Sequence, residues 1–323
     1  MPPSPRRPAQ PHAASSPTVT VVIPALNEEH NLPLVLENLP PVDEVIVVDG
    51  RSDDDTVAVA REVRPGVIVV RQTRSGKGNA LACGFAAATG DIVVTLNADG
   101  SSDPGEIPRF VDALLSGAEA AHGSRFRAGG DHRDARPAER FGHALLSRVV
   151  NVLFRTRFTD LSCGYNAYWR DLLPVFQLPE PVLGRVKRGK VAWGDGPEVE
   201  TLITVRMATR GLRVVEVATV GYPRLHGDRP RRVLPALARA LRTVVTEYSR
   251  RWSREPRRPV YRPAVLPESQ ILRPHLPEPP SVPGRHAVPP QRRLRVIEGE
   301  GRRSPSPWDE PLSYRAVPGE NYR

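Results

Sequence analysis

The sequence is short of the residues and motifs that define several protein classes. It has two cysteines in 323 residues, Cys83 and Cys163, and neither lies in a CxxC pair. A framework of several disulfides is therefore excluded, and two reduced thiols in a cytosolic protein are expected. No apolar run approaches the roughly 18 residues of a membrane span. The first 17 residues lack the apolar segment of a secretory signal. We expect a cytoplasmic protein, either soluble or peripheral at the inner membrane surface.

Three common site motifs are also missing. No GxGxxG follows the first apolar run, which argues against a dinucleotide-dependent dehydrogenase. The eight histidines show no HExxH spacing. Ser75-Gly76-Lys77-Gly78 lacks the spacing of a Walker A motif but resembles a phosphate loop at a helix N-terminus. Lys77 is therefore a candidate ligand for a phosphate.

Charge is plentiful, and it is unevenly distributed. The formal net charge is +10 and the pI is about 10.2, which favours an anionic partner such as a phosphorylated substrate or an acidic membrane. Much of the charge sits near the two ends. The basic residues are not interleaved with stacking aromatics, and no nucleic-acid-binding motif is present, so nucleic acid is an unlikely partner.

The composition divides the chain into three parts. Residues 1–17 are rich in Pro, Ser and Ala, and residues 252–323 are rich in Pro and Arg, so both are predicted to be disordered tails. The partner of the C-terminal tail is unknown. Between them, residues 18–251 alternate short apolar runs with helical patterns, as in TVTVVIPA, EVIVVD and DIVVTLNAD. This alternation predicts an α/β domain with a mostly parallel central sheet and helices on both faces.

Polar clusters follow three of the predicted strands, at Pro24–Glu28, Asp49–Asp55 and Asn97–Asp103. Functional groups of parallel sheets gather beyond the carboxyl ends of the strands, so the three clusters are expected to line one crevice. Asp49 ends its strand, where an acid can accept hydrogen bonds from a nucleobase or ribose. Asp53 and Asp55 have the simpler interpretation of capping the next helix.

Asn97 and Asp99 offer oxygen ligands without sulfur or imidazole, which suits Mg²⁺ or Mn²⁺ better than zinc. The alternative is an ordinary loop whose Asp and Asn residues cap the helix that begins near Pro104. Asp103 fits that structural role first, because a proline at the first helical position follows it.

Several further residues have a functional and a structural interpretation. Arg125 follows a predicted strand and either holds a phosphate in the crevice or is a solvated surface residue. Glu198 and Glu200 open a predicted helix, where acids favour the helix dipole in any case. The aromatic residues of TDLSCGYNAYWRD (159–171) stack on a sugar or, by default, pack in the core. The segment Phe141–Phe158 is either a helix on an anionic membrane surface or a helix facing the core.

Together these motifs resemble the family 2 glycosyltransferases with the GT-A fold, and especially the branch that transfers mannose or glucose to dolichol or polyprenyl phosphate. The resemblance covers about residues 18–250. Its motifs are VTVVIPALNEE, VIVVDGRSDDDT, SGKGNALACGFAAATGDIVVTLNADGSSDP, GSRF, TDLSCGYNAYWR, EVETLITVRMATRGLRVVEV and RLHGD. Both tails lie outside it.

The resemblance implies roles for particular residues. Pro24, Glu28 and Asp49 would cradle the nucleotide. The DxD-type motif that holds the metal and the diphosphate falls on Asn97-Ala98-Asp99, with Asn97 in place of the usual first aspartate. Asp99 would then be the main metal ligand, and Ser101 occupies a position where some relatives place another metal-contacting side chain.

The implied reaction is transfer of a sugar from a nucleotide-diphosphate sugar to an acceptor, with a polyprenyl phosphate as the expected acceptor. The metal and Arg125 would offset the charge on the departing nucleotide. An ionised lipid phosphate needs no strong base, whereas a hydroxyl acceptor needs one, and Glu198 or Glu200 are the candidates. Two other functions stay open: a sugar nucleotidyltransferase, and a catalytically impaired scaffold that binds nucleotide sugars.

Overall fold

The structure is a computed structural model that describes residues 16–133, 135–181, 192–227, 233–251, 266 and 268–272. Within these residues the strands are Val19–Ala25 (β1), Glu44–Asp49 (β2), Ile68–Arg71 (β3), Ile92–Thr95 (β4), Ala120–Ser124 (β5), Asp131–His132 (β6), Asn166–Trp169 (β7), Val214–Ala218 (β8), Val220–Gly221 (β9) and Ile271–Leu272 (β10). The α-helices are Leu32–Glu37 (α1), Thr56–Val63 (α2), Lys77–Ala87 (α3), Ile107–Leu115 (α4), Pro137–Phe154 (α5), Val199–Thr209 (α6) and Val233–Arg251 (α7). Short 3₁₀ helices span Pro104–Glu106, Arg170–Phe176 and Glu268–Gln270.

Eight strands form one sheet in the order β10-β3-β2-β1-β4-β7-β5-β8. The pairs β1/β2, β1/β4, β2/β3 and β5/β8 are parallel. β7 is antiparallel to both of its neighbours, and β10 is antiparallel to β3. The strands β6 and β9 form a separate parallel pair. The predicted mostly parallel α/β sheet is confirmed, and the antiparallel β7 is an addition to it.

The sheet is buried on both faces, and β2 shows how the sequence achieves this. Val45 and Val47 pack in the core cluster that contains residues of α1, α2 and α4, while Ile46 and Val48 pack in the cluster that contains residues of α3 and α6. Successive side chains of a strand point to opposite faces, so a run of consecutive β-branched residues serves two cores at once.

The strand ends place the polar clusters together. Pro24 and Ala25 of β1 pair with Val48 and Asp49 of β2. On the other side of β1, Val22 pairs with Thr95, so the chain leaves β4 toward Asn97 at the same edge of the sheet. The expected crevice beyond the carboxyl ends of β1, β2 and β4 follows from this register.

The predicted division into tails and domain needs one correction. The structure places Leu266 in the core cluster between the sheet, α3 and α6, and pairs β10 with Val69 and Val70 of β3. These residues lie in the segment predicted to be a disordered tail (252–323), so the sheet extends beyond Arg251. Residues 1–15 and the rest of the C-terminal segment lie outside the described residues, and their predicted disorder stays a prediction.

Candidate active site

A crevice of about 480 Å³ lies at the carboxyl ends of β1, β2 and β4. Six residues predicted to bind a nucleotide sugar line it: Pro24, Glu28, Lys77, Asn97, Ala98 and Asp99. Asp49 is buried beside it, directly before the lining residue Gly50. Its Oδ1 accepts a hydrogen bond from the backbone N–H of Ser52 at 2.9 Å, and its Oδ2 lies 3.6 Å from Nε of Arg71. Residues far apart in sequence thus meet where the strand order predicts.

The predicted metal ligands form a small cluster of oxygen atoms. Ser101 donates to Oδ1 of Asp99 from its hydroxyl at 2.6 Å and from its backbone N–H at 3.1 Å. Nδ2 of Asn97 donates to the Ser101 hydroxyl at 3.3 Å. Because Asn97 points its amide nitrogen at Ser101, its oxygen Oδ1 faces Lys77.

Lys77 links the strand end to α6. Its ammonium group lies 2.8 Å from Oδ1 of Asn97 and forms a short ion pair with Oε1 of Glu200. The three groups meet above Gly164, where a Cβ would lie 2.6 Å from Glu200 Oε1 and 2.8 Å from Asn97 Oδ1. A residue with a side chain at position 164 would separate them. The triad of Lys77, Asn97 and Glu200 was not predicted from the sequence, although each member was named separately.

The SGKG segment has a different role from the one its pattern suggested. The backbone N–H groups of Gly78 and Asn79 both donate to the carbonyl of Asp195, at 2.8 and 3.3 Å. A Cβ on Gly78 would lie 1.8 Å from the carbonyl oxygen of Gly194. The first amides of α3 therefore hold another segment of the chain, and of this motif it is the Lys77 side chain that faces the crevice.

Glu28 is held by a residue that sequence reasoning missed. Both of its carboxylate oxygens accept from Arg224, at 2.8 and 2.7 Å, and Oε2 also accepts from Nδ2 of Asn31 at 2.8 Å. The 224–227 segment is fixed further by backbone bonds, since Leu225 donates to the carbonyl of Asp99 at 3.2 Å. Arg224 is the first residue of the RLHGD motif. The only feature of the sequence that pointed to a basic partner was the acidic Glu28 close to the end of the buried strand β1.

Arg125 does not line the crevice, contrary to its predicted phosphate contact. Its Nε and Nη2 donate to the two carboxylate oxygens of Asp160 at 2.7 and 3.0 Å, and Nη2 also reaches Ser162 Oγ at 3.1 Å. Burial alone would raise the pKa of Asp160, but the charge and hydrogen bonds of Arg125 outweigh it and hold that pKa well below its usual range. A fully buried carboxylate needs such a partner, and this requirement takes Arg125 away from the crevice.

A second cavity of about 420 Å³ lies between α5, α6 and α7 and is lined by Glu198, Glu200 and Ser162 among others. Oε1 of Glu198 accepts from the backbone N–H groups of Gly194 and Gly196 at 3.0 and 3.3 Å, which fixes the turn before α6. Glu200 is the acid that connects the two spaces, because it lines this cavity while its partner Lys77 lines the crevice.

The structural interpretations of several polar and aromatic residues are confirmed, with one change. Asp103 caps the turn at Pro104 by accepting from the N–H of Gly105 at 2.8 Å. Before α2, the capping acid is Asp54, which accepts from the N–H of Thr56 at 3.1 Å; Asp55 holds the N-cap position without a side-chain bond. Tyr165 and Tyr168 are buried, and Tyr165 stacks on Phe110 with ring centroids 4.3 Å apart. They pack in the core.

The oxygen cluster fits a hard divalent cation that substrate phosphates help to coordinate. Asp99 contributes a carboxylate and Ser101 a hydroxyl, and both are ligands that Mg²⁺ and Mn²⁺ accept; the oxygen of Asn97 faces Lys77 and would join them only if its amide group turned over. Among the described residues, no group of three His, Cys, Asp or Glu side chains is placed to hold a metal by itself. Mg²⁺ commonly binds through one or two protein carboxylates plus substrate phosphates, so a site with Asp99 as its single carboxylate is compatible with that cation.

Comparison with known proteins agrees with this geometry. The model of the family described as Glycosyl transferase family 2 matches residues 20–175. An uncharacterized glycosyltransferase of Mycobacterium tuberculosis is 36% identical over 213 residues, which cover 65% of this chain and 87% of the relative. Undecaprenyl-phosphate mannosyltransferase of Micrococcus luteus is 32% identical over 220 residues, covering 65% and 86%.

A solved structure shows the same architecture with ligands. Glucosyl-3-phosphoglycerate synthase from Mycobacterium tuberculosis, in complex with Mn²⁺, uridine diphosphate and phosphoglyceric acid, has a TM-score of 0.55 and 27% identity. The match covers 72% of this chain and 79% of that one.

The sheet order, the strand-end crevice and these likenesses define a GT-A-type glycosyltransferase. The chain belongs to glycosyl transferase family 2. Among the described helices, none has both the length and the hydropathy needed to cross a bilayer.

Proposed function

We propose that this glycosyltransferase moves a sugar from a nucleotide-diphosphate sugar to a polyprenyl phosphate, assisted by Mg²⁺ or Mn²⁺. The observation that carries the proposal is an ion pair between a residue that lines one cavity and a residue that lines the other. The strand-end crevice contains Lys77 and Asp99, and Glu200, the ion-pair partner of Lys77, lines the neighbouring cavity. A donor and an acceptor held in these two spaces would meet beside the Lys77–Glu200 pair.

The crevice suits the donor. In this proposal the nucleoside contacts Pro24 and the buried Asp49, and its diphosphate contacts Lys77 and Asp99; the support is that Pro24, Lys77 and Asp99 line the crevice and Asp49 borders it. Ser101 would help Asp99 to hold the cation, and Asn97 would add its oxygen after a turn of its amide group. The bound cation supplies electrostatic stabilisation of a diphosphate leaving group. The ammonium group of Lys77 adds a fixed positive charge at the same place, preorganised by Asn97 and Glu200.

The second cavity suits the acceptor. Leu146, Leu161 and Leu237 provide an apolar lining, and Arg239 and Ser162 provide hydrogen-bond donors for a phosphate. The charge of Glu200 is offset by its ion pair with Lys77. In the transfer, an oxygen of the acceptor phosphate forms a bond to the anomeric carbon, while the bond from that carbon to the donor diphosphate breaks and the nucleoside diphosphate leaves with the electron pair. A phosphate oxygen is already ionised at neutral pH, so no residue has to remove a proton. A lipid acceptor would place the enzyme at the cytoplasmic membrane surface while it works.

The test is a transfer assay with the purified full chain. Radiolabelled nucleotide sugars are supplied one at a time with Mn²⁺ and either a short polyprenyl phosphate or 3-phosphoglycerate, and products are separated by phase extraction. We expect labelled lipid from at least one donor, inhibition by chelation, and a loss of about 10²–10³-fold in Asp99→Ala. Transfer to phosphoglycerate but not to the lipid would agree with glycosyltransferase activity and would refute the polyprenyl phosphate as the acceptor.

The assay also separates the two other functions. Pyrophosphate release from a nucleoside triphosphate and a sugar phosphate would identify a nucleotidyltransferase. The impaired scaffold is favoured by one observation: the amide oxygen of Asn97 accepts a hydrogen bond from Lys77 at 2.8 Å, at the position where the DxD-type motif that this segment resembles begins with an aspartate. It predicts donor binding without transfer and with affinity unchanged after both chelation and Asp99→Ala.

A further inference from the structure

The helices α5 and α7 pack side by side and run in the same direction. Near their N-terminal ends, a Cβ on Gly142 would lie 3.6 Å from Leu237. Near their C-terminal ends, the rings of Phe154 and Tyr248 pack edge to face with centroids 5.8 Å apart. The contact thus advances along both sequences together. Between these points, Leu146, Val150 and Val244 pack in one hydrophobic cluster.

Both helices expose large apolar side chains outside this contact. On α5, Phe141 is 71% exposed, Leu145 51% and Val152 72%. On α7, Leu241 is 46% exposed and Val245 55%. The spacing of four residues between Phe141 and Leu145, and between Leu241 and Val245, keeps each set on one side of its helix. These five residues are called the apolar face below.

The two sets point to the same side of the helix pair. Leu145 precedes the contact residue Leu146, which turns it about 100° backward around α5. Val245 follows the contact residue Val244, which turns it about 100° forward around α7. For two parallel helices in contact, a side chain displaced backward around one axis and a side chain displaced forward around the other lie on the same side of the pair. The cavity lined by Gly142, Leu146, Leu237 and Ala240 lies at the contact between the helices.

Arginines border the apolar face. Arg148 is exposed on α5 and Arg242 on α7, and each lies on the side of its helix away from the partner helix. Arg155, the residue directly after α5, is exposed as well. Within the described side chains of α5 and α7, no exposed position carries Asp or Glu. The surface is therefore apolar in the middle, cationic at both edges and free of exposed carboxylates.

We propose that this face of α5 and α7 docks on an anionic lipid surface. Phe141, Leu145 and Val245 would enter the boundary between headgroups and acyl chains, and the arginines would contact the lipid phosphates. Charge complementarity decides between the possible occupants. A second copy of the chain would bring arginine edges against one another, and the chain's own C-terminal segment is rich in arginine too. The inference stands on the exposed face alone and holds whatever the acceptor is.

The experiment is sedimentation of the full chain with vesicles that contain no polyprenyl phosphate. Vesicles of phosphatidylcholine alone are compared with vesicles containing one third phosphatidylglycerol. We expect binding to the anionic vesicles only, weaker at high salt. Leu145→Asp/Val152→Asp and Arg148→Glu/Arg242→Glu should each weaken binding by about tenfold or more. Matched controls are Leu115→Asp and Arg61→Glu, which change exposed residues of α4 and α2. They should bind as the wild type does.

A fluorescent label locates the contact. Cys83 and Cys163 are buried, and burial raises the pKa of both thiols, that of Cys163 to about 12. A cysteine introduced by Leu145→Cys is therefore labelled selectively, and an environment-sensitive dye there should shift to the blue on anionic vesicles, whereas a dye at Leu115→Cys should not. Binding that persists in both face variants would show that basic segments elsewhere carry it and would overturn the proposal. A wild-type dimer dispersed by Leu145→Asp/Val152→Asp, without vesicle binding, would also overturn it.

Discussion

Asn97 sets the charge of the candidate metal site. A site with one carboxylate, from Asp99, and the neutral side chains of Ser101 and Asn97 attracts a divalent cation less strongly than a site with two carboxylates. The amide also directs its oxygen to Lys77 at 2.8 Å, so that a permanent cation stands beside the strand end. The ammonium group of Lys77, which also pairs with Glu200, thus lies where we propose that the diphosphate binds.

Asn97→Asp should therefore tighten cation binding. A second carboxylate adds a charged ligand, and we expect the dissociation constant of Mn²⁺, measured by electron paramagnetic resonance with uridine diphosphate present, to fall by about tenfold. Asp103→Asn changes a charge in the same loop, but Asp103 caps the Pro104 turn, so that control should leave Mn²⁺ binding unchanged. An unchanged constant in Asn97→Asp would mean that Asn97 does not face the cation.

The ion pair between Arg125 and Asp160 leads to a prediction about how the free energy of unfolding depends on pH. The folded-state pKa of Asp160 lies below its unfolded value of about 3.9, so this group stabilises the fold above that pH, and the contribution is lost as the pH falls through the folded pKa. Arg125→Met removes the partner of a buried charge and should cost about 3–5 kcal/mol at pH 7. Without Arg125, burial raises the pKa of the Asp160 carboxyl, so the difference from the wild type should begin to narrow as the pH falls through that raised pKa and should be smaller still below about pH 4.

Urea unfolding at pH 7 and at pH 3.5 measures the effect of Arg125→Met. The double variant Arg125→Met/Asp160→Leu removes both charges and should recover most of the loss at pH 7, because no buried carboxylate is left without a partner. An equal loss for Arg125→Met at both pH values would show that packing of the arginine stem, rather than its charge, is what matters.

At the scale of elements, the N-terminus of α3 joins the sheet to the segment before α6. The N–H of Gly78 donates to the carbonyl of Asp195, and the side chain of Asp195 accepts two hydrogen bonds from Arg74, at 2.6 and 2.9 Å. This docking brings α6, and with it Glu200, within reach of Lys77. The close approach is possible because position 78 has no Cβ.

Gly78→Ala should separate these elements. The added Cβ would lie 1.8 Å from the Gly194 carbonyl oxygen, so the segment must move, at a cost of about 1–3 kcal/mol. Donor affinity should fall as well, because Lys77 loses its fixed position. Gly66→Ala is the matched control, since a Cβ there meets nothing within 4 Å. It should be neutral or stabilising by about 0.4–1 kcal/mol. Equal unfolding midpoints for the two variants would refute the account.

The sequence predicts elements well where the pattern is local. The β-branched runs of β1, β2 and β4 and the acids at their ends identify the sheet and the crevice, because parallel topology brings strand ends together. β7 is short, and its antiparallel direction depends on pairing with β4 and β5. β10 has two residues within a proline-rich segment, so no local pattern distinguishes it.

At the scale of the whole molecule, the residues that the sequence did not assign are those fixed by distant segments. Arg224 reaches Glu28 across 196 positions, and Glu200 reaches Lys77 across 123. A sequence pattern identifies the chemistry of each group but not which opposite charge it meets, because that depends on how loops dock. Arg125 shows the same limit in the opposite direction: the sequence suggested a contact in the crevice, but the side chain pairs with Asp160 instead.

The fold's outer edge offers a test of where the folded unit ends. Leu266 is buried against residues of the sheet and α3, and Ile271 and Leu272 pair with Val70 and Val69. A chain that ends after Leu272 keeps these contacts, and we expect its melting temperature to match that of the full chain. A chain that ends after Arg251 loses them and leaves the edge of β3 open to other chains.

The shorter chain should lose about 2–3 kcal/mol, mainly because the burial of the Leu266 side chain is lost, and melt about 4–10 °C lower. Calorimetry of the two truncated chains and the full chain measures the difference, and light scattering reports association through the open edge. Leu266→Asp in the full chain is the control for the side chain alone, and it should reproduce most of the loss while β10 is still present. If the two truncated chains melt together, residues 266–272 contribute nothing to stability, and the boundary after Arg251 that the composition suggested would be the better description of the folded unit.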